Sequence, residues 1–287
     1  MKCFYHNDID GRCAGAIVAN FTDNYDKRDY YEVDYVMQLP LDKIQDGEQV
    51  WFVDYSFKEN TMYVLDSLIN RNCDIIWIDH HTSSINLQEQ HKELKLIKGI
   101  RQDGISGAGL TYMYLHECSF DNIPYYVKLV SDYDCWLYKF EPDTTHFKLG
   151  IETVPYDALD CIWTNLESDD KTISNHTLHN AINKGKLIKQ YIDQDNTYYR
   201  DHFAYESEIE GYKCLVVNKK SNSWIFGDKY KEYPLVMVWV FFGSKYTYSI
   251  FSSSKDIDCS KIAEKYGGGG HKGAAGFSSD ELLFKQI

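Results

Sequence analysis

The sequence predicts an α/β protein: a mainly parallel-sheet N-terminal domain, a long linker helix and a smaller α+β C-terminal domain. Three observations carry this. Strand and helix signals alternate through the first half, a long polar stretch with helical periodicity follows, and dense strand signals then return. At 287 residues the chain can bury two cores, with boundaries expected at 1–165, 166–207 and 208–287.

The elements follow in order. An apolar run at 2–5 reads as a strand, and 13–21 (CAGAIVANF) as a helix. Runs at 31–36 and 49–53 read as further strands. Over 59–71, Met62, Leu65, Leu68 and Ile69 take the spacing of one helical face. Residues 74–78 (DIIWI) form a short apolar run bounded by polar residues, the mark of a buried strand. Helices are expected over 106–118 and 124–130, the second opened by Asp121 or Asn122 with Pro124 behind it. Residues 172–202 are polar, with Ala181, Ile188, Tyr191, Ile192 and Tyr198 at helical spacing. Strands at 213–217, 234–242 and 246–251 come next, then a helix over 259–266 and a run of four glycines.

Bulk properties exclude several classes. No apolar run reaches membrane-spanning length, so no membrane partner and a cytoplasmic location are expected. The eight cysteines are scattered without a CxxC pair and read as reduced thiols, outside any metal site. A net charge of −13 leaves no basic face for gripping long nucleic acid. Anionic ligands would have to be held by metal ions or backbone N–H groups.

Acids and imidazoles recur where elements end. The first strand runs into His6-Asn7-Asp8-Ile9-Asp10-Gly11, the strand 49–53 into Asp54, and the strand 74–78 into Asp79-His80-His81. The helix 124–130 ends in Ser131-Asp132-Tyr133-Asp134. In an open α/β sheet, ligands bind beyond the carboxyl ends of the strands, which would gather the first three clusters. Carboxylates and imidazoles without thiolates suit Mn²⁺ or Mg²⁺, and the imidazoles favour Mn²⁺. Such a set can hold two ions, the clamp used for in-line displacement at phosphorus. Taken singly, Asp54 reads as a strand-end acid, His80 as a structural histidine and HNDIDG as an Asx-rich turn. Their recurrence in order at element ends points to a site. His91, His116, His146, His176, His179 and His202 share no such pattern.

The stretch 266–277 (YGGGGHKGAAGF) reads plainly as a hinge or a helix C-cap at Gly267. That explains one glycine of four. Small residues also let backbone approach a ligand, and successive N–H groups can bind an anion.

Together these motifs resemble the DHH phosphoesterase superfamily, which includes RecJ-type exonucleases, oligoribonucleases and cyclic-dinucleotide phosphodiesterases. The resemblance implies that His6, Asp8, Asp10, Asp54, His80 and Asp132 hold two Mn²⁺ ions, or Mg²⁺, with Asp54 bridging. Asp79 would orient its neighbours, and His81 would contact the scissile phosphate or the attacking hydroxide. The glycine run is similar to the GGGH-x-x-AAG motif of the C-terminal domain that accompanies many DHH domains. That likeness implies that Gly268, Gly269, Gly270 and His271 bind the nucleotide end of a substrate. Related domains often carry an arginine in the strand before this helix, whereas 249–260 (SIFSSSKDIDCS) has none and Phe251 stands near that place.

The expected activity is hydrolysis of short oligonucleotides to nucleoside monophosphates by a two-metal phosphodiesterase. Aromatics such as Trp224, Phe226 and Tyr230 would be available to stack a base. Cyclic dinucleotides and 3′-phosphoadenosine 5′-phosphate are alternative substrates, and a degenerate nucleic-acid-binding protein is the non-enzymatic alternative. Expected partners are a short single-stranded oligonucleotide or nucleotide, with a homodimer as an open alternative.

Overall fold

In the first strand, β1 (Lys2–His6), Cys3 and Tyr5 pack into one core and Phe4 into another. The alternation repeats in β3 (Gln49–Val53), where Trp51 and Val53 oppose Val50 and Phe52. It repeats again in β4 (Asp74–Ile78), with Ile76 and Ile78 opposite Ile75 and Trp77. Strands apolar on both faces need cover on both, which is the condition for a parallel sheet. With β2 (Tyr30–Val33) they form an all-parallel sheet of order β2-β1-β3-β4. Lys98 and Arg101 extend it by parallel bridges to Ile76 and Asp79.

The computed structural model describes residues 1–34 and 37–287, so two residues of the strand expected over 31–36 lie outside the described residues. The chain divides into two units, Met1–Lys189 and Gln190–Ile287. In the first unit, one face of the sheet carries α1 (Ile9–Thr22). The other carries α2 (Met62–Asn70) and α3 (Thr82–Gln90). The α1 face also receives α4 (Gly107–His116), α5 (Tyr125–Asp134), α6 (Asp143–Ile151) and α7 (Cys161–Leu166).

This arrangement creates the crevice. Strands β1 and β3 are neighbours, but the chain leaves β1 through α1 and leaves β3 towards α2, on opposite faces. Their carboxyl ends therefore open a gap at a topological switch point. The helix starts earlier than its apolar run suggested, because Asp8 caps it by accepting from the Gly11 N–H. HNDIDG is thus a strand end, a cap and a first turn in succession.

The long helix α8 spans Lys171–Phe203, and the division between the units falls inside it. The expected linker is therefore shared between two compact units and does not stand as a separate piece. The second unit is a sheet of order β5-β6-β7-β8-β10-β9. It comprises β5 (Tyr205–Ile209), β6 (Tyr212–Asn218), β7 (Leu235–Phe242), β8 (Lys245–Phe251), β9 (Gly269–His271) and β10 (Ala274–Ser279). Only β6 and β7 pair in parallel among these named strands. Val216, Met237 and Ile250 pack under α9 (Cys259–Glu264), while Val217 and Val236 pack against Ile225 and Phe226. Among the described residues no helix is long and apolar enough to cross a membrane.

Candidate metal centre

His6 closes β1 with its Nδ1 2.8 Å from Asp8 Oδ2 and 3.9 Å from Asp54 Oδ2. Burial works against its protonation, but the bond to Asp8 and the nearby acids raise its pKa overall. Burial pushes Asp8 upward too, yet bonds from His6 and the Gly11 N–H outweigh it and the net shift is downward. Asp10, fully buried on the first turn of α1, accepts from the Gly107 N–H at 2.6 Å and the Ala108 N–H at 3.0 Å. These are the leading amides of α4, whose positive end favours an anion. Burial still dominates and raises the Asp10 pKa, against the lowering effect of His80.

Asp54 follows β3 in the left-handed region at φ 55°, and its N–H continues the ladder by donating to the Ile78 carbonyl at 2.9 Å. The side chain is almost wholly buried, and Oδ1 has no hydrogen-bond donor. His80 Nε2 lies 3.3 Å from that oxygen without completing a hydrogen bond. Burial first, then Asp10, Asp8, Asp134 and Asp79, push the Asp54 carboxyl well above its usual range. Asp79 is buried and saturated. Its Oδ1 accepts from the His80 N–H at 2.9 Å and faces His81 Nδ1 at 2.8 Å, while its Oδ2 takes the Ser84 hydroxyl. Asp79 thereby fixes the orientation of the His81 ring through Nδ1.

His80 reaches furthest across the crevice. Its Nε2 is 3.2 Å from Asp134 Oδ2 and 3.9 Å from Asp10 Oδ2. Burial lowers its pKa, but a hydrogen bond with Cys135 and the surrounding acids carry it up to about 10.

The structure corrects one expected ligand. Asp132 is buried, but its carboxylate accepts from the Lys139 N–H at 2.8 Å, the Phe140 N–H at 3.1 Å and the Thr144 hydroxyl. Its oxygens fasten the loop after α5, and Asp134 is the acid that faces His80. Residues two apart on a helix point roughly 200° apart, so α5 cannot aim both acids at one site. The SDYD run shows both acids at the helix end without showing which turns inward. Burial first, then Asp10, raise Asp134 to about 7, with His80 acting in the opposite sense.

Cys135 was expected to stay clear of the ions, yet His80, Asp134 and Cys135 offer ligand atoms all within 4.8 Å of one another. The amides of Gly107 and Ala108 carry no side-chain signal in the sequence, although Ser106 before a glycine marks the cap of the helix that presents them. Of the aromatics expected to stack a base, Phe226 is wholly buried in the second unit's core.

The glycine run takes several conformations. Gly267 (φ 75°) ends α9: its N–H bonds Glu264 O and that of Gly268 bonds Ala263 O. A Cβ on Gly268 would collide with the Gly276 carbonyl, and Gly270 adopts φ 148° against β10. Gly269 has open space, and His271 is exposed where β9 ends. The segment is thus an edge strand, and the amides of Gly267 and Gly268 are already engaged by the helix end.

Asp8, Asp10, Asp54 and Asp134 with two imidazoles form a set that is poorly compensated from within. A buried carboxylate oxygen without a donor is costly. The donors fit divalent cations of the oxygen- and nitrogen-liganded kind.

Comparison with known proteins gives consistent likenesses. Residues 216–287 match the DHHA1 domain family. An uncharacterized protein of Acanthamoeba polyphaga mimivirus is 29% identical over 247 residues, 83% of this chain. The match spans 54% of that viral protein, about half its length. Oligoribonuclease NrnB of Bacillus subtilis is 24% identical over 304 residues, 98% of this chain and 73% of that protein. Among solved structures, a DHH domain from a member of the s1p family of ribosomal proteins superposes with a TM-score of 0.53 at 14% identity. It covers 96% of this chain and 81% of that one.

Proposed function

Because the chain belongs to the DHH phosphoesterase superfamily and carries a DHHA1 domain, we propose that it is a metal-dependent phosphodiesterase acting on short single-stranded oligonucleotides. One observation carries the reading: His6, Asp8 and His80 gather around Asp54, whose Oδ1 is buried without a donor, with Asp10 and Asp134 on the far side of His80. His6, Asp8, Asp10, Asp54, His80 and Asp134 would hold two divalent ions, with Mn²⁺ favoured over Mg²⁺ by the imidazoles. Such ions supply charge stabilisation at a phosphate and a water-derived nucleophile at neutral pH. Asp79, fixed by Ser84, holds His81 by Nδ1, so that the ring is oriented to hydrogen-bond a phosphate oxygen or hold a proton.

The DHHA1 segment at Gly269, Gly270 and His271 is the second proposed anchor, for a terminal nucleotide. With a net charge of −13 the chain lacks a cationic track for many phosphates. Without such a track short substrates are favoured, roughly two to five nucleotides by analogy with small single-strand sites. The similarity to an oligoribonuclease agrees with this length range.

A turnover panel with Mn²⁺ tests the reading. It contains a dinucleotide, a twenty-mer, cyclic dinucleotides and 3′-phosphoadenosine 5′-phosphate. The dinucleotide is expected to give the highest kcat/KM. Faster, processive degradation of the twenty-mer would transfer the protein to the long-strand exonucleases, and no turnover of any member would defeat the enzymatic reading.

A further inference from the structure

Cys135 stands apart from the other cysteines. Cys3, Cys13, Cys214 and Cys259 are buried in the cores, whereas Cys135 is part-exposed and faces His80 and Asp134. Its position is fixed by backbone. It caps α5 with helical bonds from its own N–H, to Ser131 O among others, at 3.0 Å. The following turn is tied by Leu137 and Tyr138 N–H groups to the Asp132 carbonyl, and by Lys139 and Phe140 N–H groups to the Asp132 carboxylate. The residue that leaves the ligand set thereby fastens the turn that follows the cysteine. An independent feature lies in the same crevice: Asp54 Oδ1, buried without a donor, 3.3 Å from Nε2 of His80, the imidazole that offers a ligand atom within 4.8 Å of Cys135.

We infer that Cys135 supplies a thiolate ligand to the ion held by His80 and Asp134, making one of the two ion positions selective for thiophilic divalent metals such as Zn²⁺, Co²⁺ or Cd²⁺. This rests on the metal-centre reading above and changes its selectivity. Imidazole, carboxylate and thiolate together form a mixed N, O and S set, and sulfur favours such metals over Mg²⁺ or Ca²⁺. On binding, the thiol S–H bond breaks, its proton passes to solvent, and a sulfur–metal bond forms without any change of oxidation state. Asp134 and Cys135, adjacent at one helix end, then act as a two-residue clamp opposite His80.

The experiment titrates the full-length, chelator-treated protein with Co²⁺ and reads the near-ultraviolet sulfur-to-cobalt charge-transfer band. Wild type is expected to develop the band, Cys135→Ser to lose it, and Cys161→Ser, at an exposed site elsewhere, to keep it. Zn²⁺ affinity should fall about tenfold or more in Cys135→Ser while Mn²⁺ affinity changes little. Circular dichroism of each variant checks that it is folded. Co²⁺ binding without the band in wild type, or a band that persists in Cys135→Ser, overturns the inference and leaves the metal centre standing. No Co²⁺ binding in wild type overturns both.

Discussion

Gly107 approaches Asp54 so closely that a Cβ on the glycine would fall 2.5 Å from the aspartate's own Cβ. Only a hydrogen fits there, and this lets the first amides of α4 reach Asp10 while α4 rests against Asp54. Gly107→Ala is therefore expected to displace Asp54 or the helix start. Turnover should drop by at least roughly a hundredfold, since small misplacements of reacting groups cost about that much. Kinetics with a dinucleotide and Mn²⁺ check this, and near wild-type kcat would remove Asp54 from the site.

Asp54 itself is held against its chemistry, buried among like charges. Asp54→Asn should nearly abolish turnover while leaving the metal-free protein as stable as wild type or more so. Calorimetry beside kinetics separates the two effects. A destabilised and active Asp54→Asn protein would contradict both halves.

Asp132 and Asp134 should part company in mutagenesis. Asp134→Asn is expected to weaken metal binding without lowering the Tm of the metal-free protein. Asp132→Ala strands two backbone amides and the Thr144 hydroxyl. Each buried group left unsatisfied costs about 1–3 kcal/mol, so Tm should fall markedly. Thermal melts with and without Mn²⁺ distinguish the two variants.

The pH dependence of the metal-free protein follows from the direction of the shifts. Asp134 rises to about 7 on folding and His80 to about 10, and Asp54 also rises. A group whose pKa is raised by folding contributes stability below its unfolded value and loses it as pH climbs through the folded one. For Asp134 that window runs from the ordinary carboxylate range to about 7, and for His80 from the ordinary imidazole range to about 10. Chelator-treated protein should therefore melt at a higher temperature at pH 5 than at pH 8. Asp134→Asn should flatten this slope, and a Tm that rises with pH over the interval would refute the assignment.

In the glycine segment, Gly268→Ala collides with the facing strand and should destabilise the second unit. Gly269→Ala enters open space and should leave stability intact while raising KM for dinucleotides more than it lowers kcat. Melting curves beside kinetics check the pair.

Much of this was legible in advance for a physical reason. Alternation of large apolar residues across β1, β3 and β4 marks strands buried on both faces, and a parallel sheet puts the polar residues after each strand at one edge. That much needs only periodicity. The choice between Asp132 and Asp134 depends on where α5 docks, which local sequence does not encode. Likewise, the amides of Gly107 and Ala108 carry no side-chain signal, and Cys135 gains its meaning only from the distant His80.

The proposed ligand set runs from His6 to Asp134 and draws on three parallel strands and a helix that meet only in the finished sheet. During synthesis, His6 and Asp8 leave the ribosome long before the residues that complete their site. Parallel pairings between distant segments also form late, after substantial loop closure. A nascent or partly folded chain therefore holds isolated acids and imidazoles that bind ions weakly. On the proposed reading, high affinity would arrive together with the last docking step, so that metal uptake would report that the first unit has finished folding.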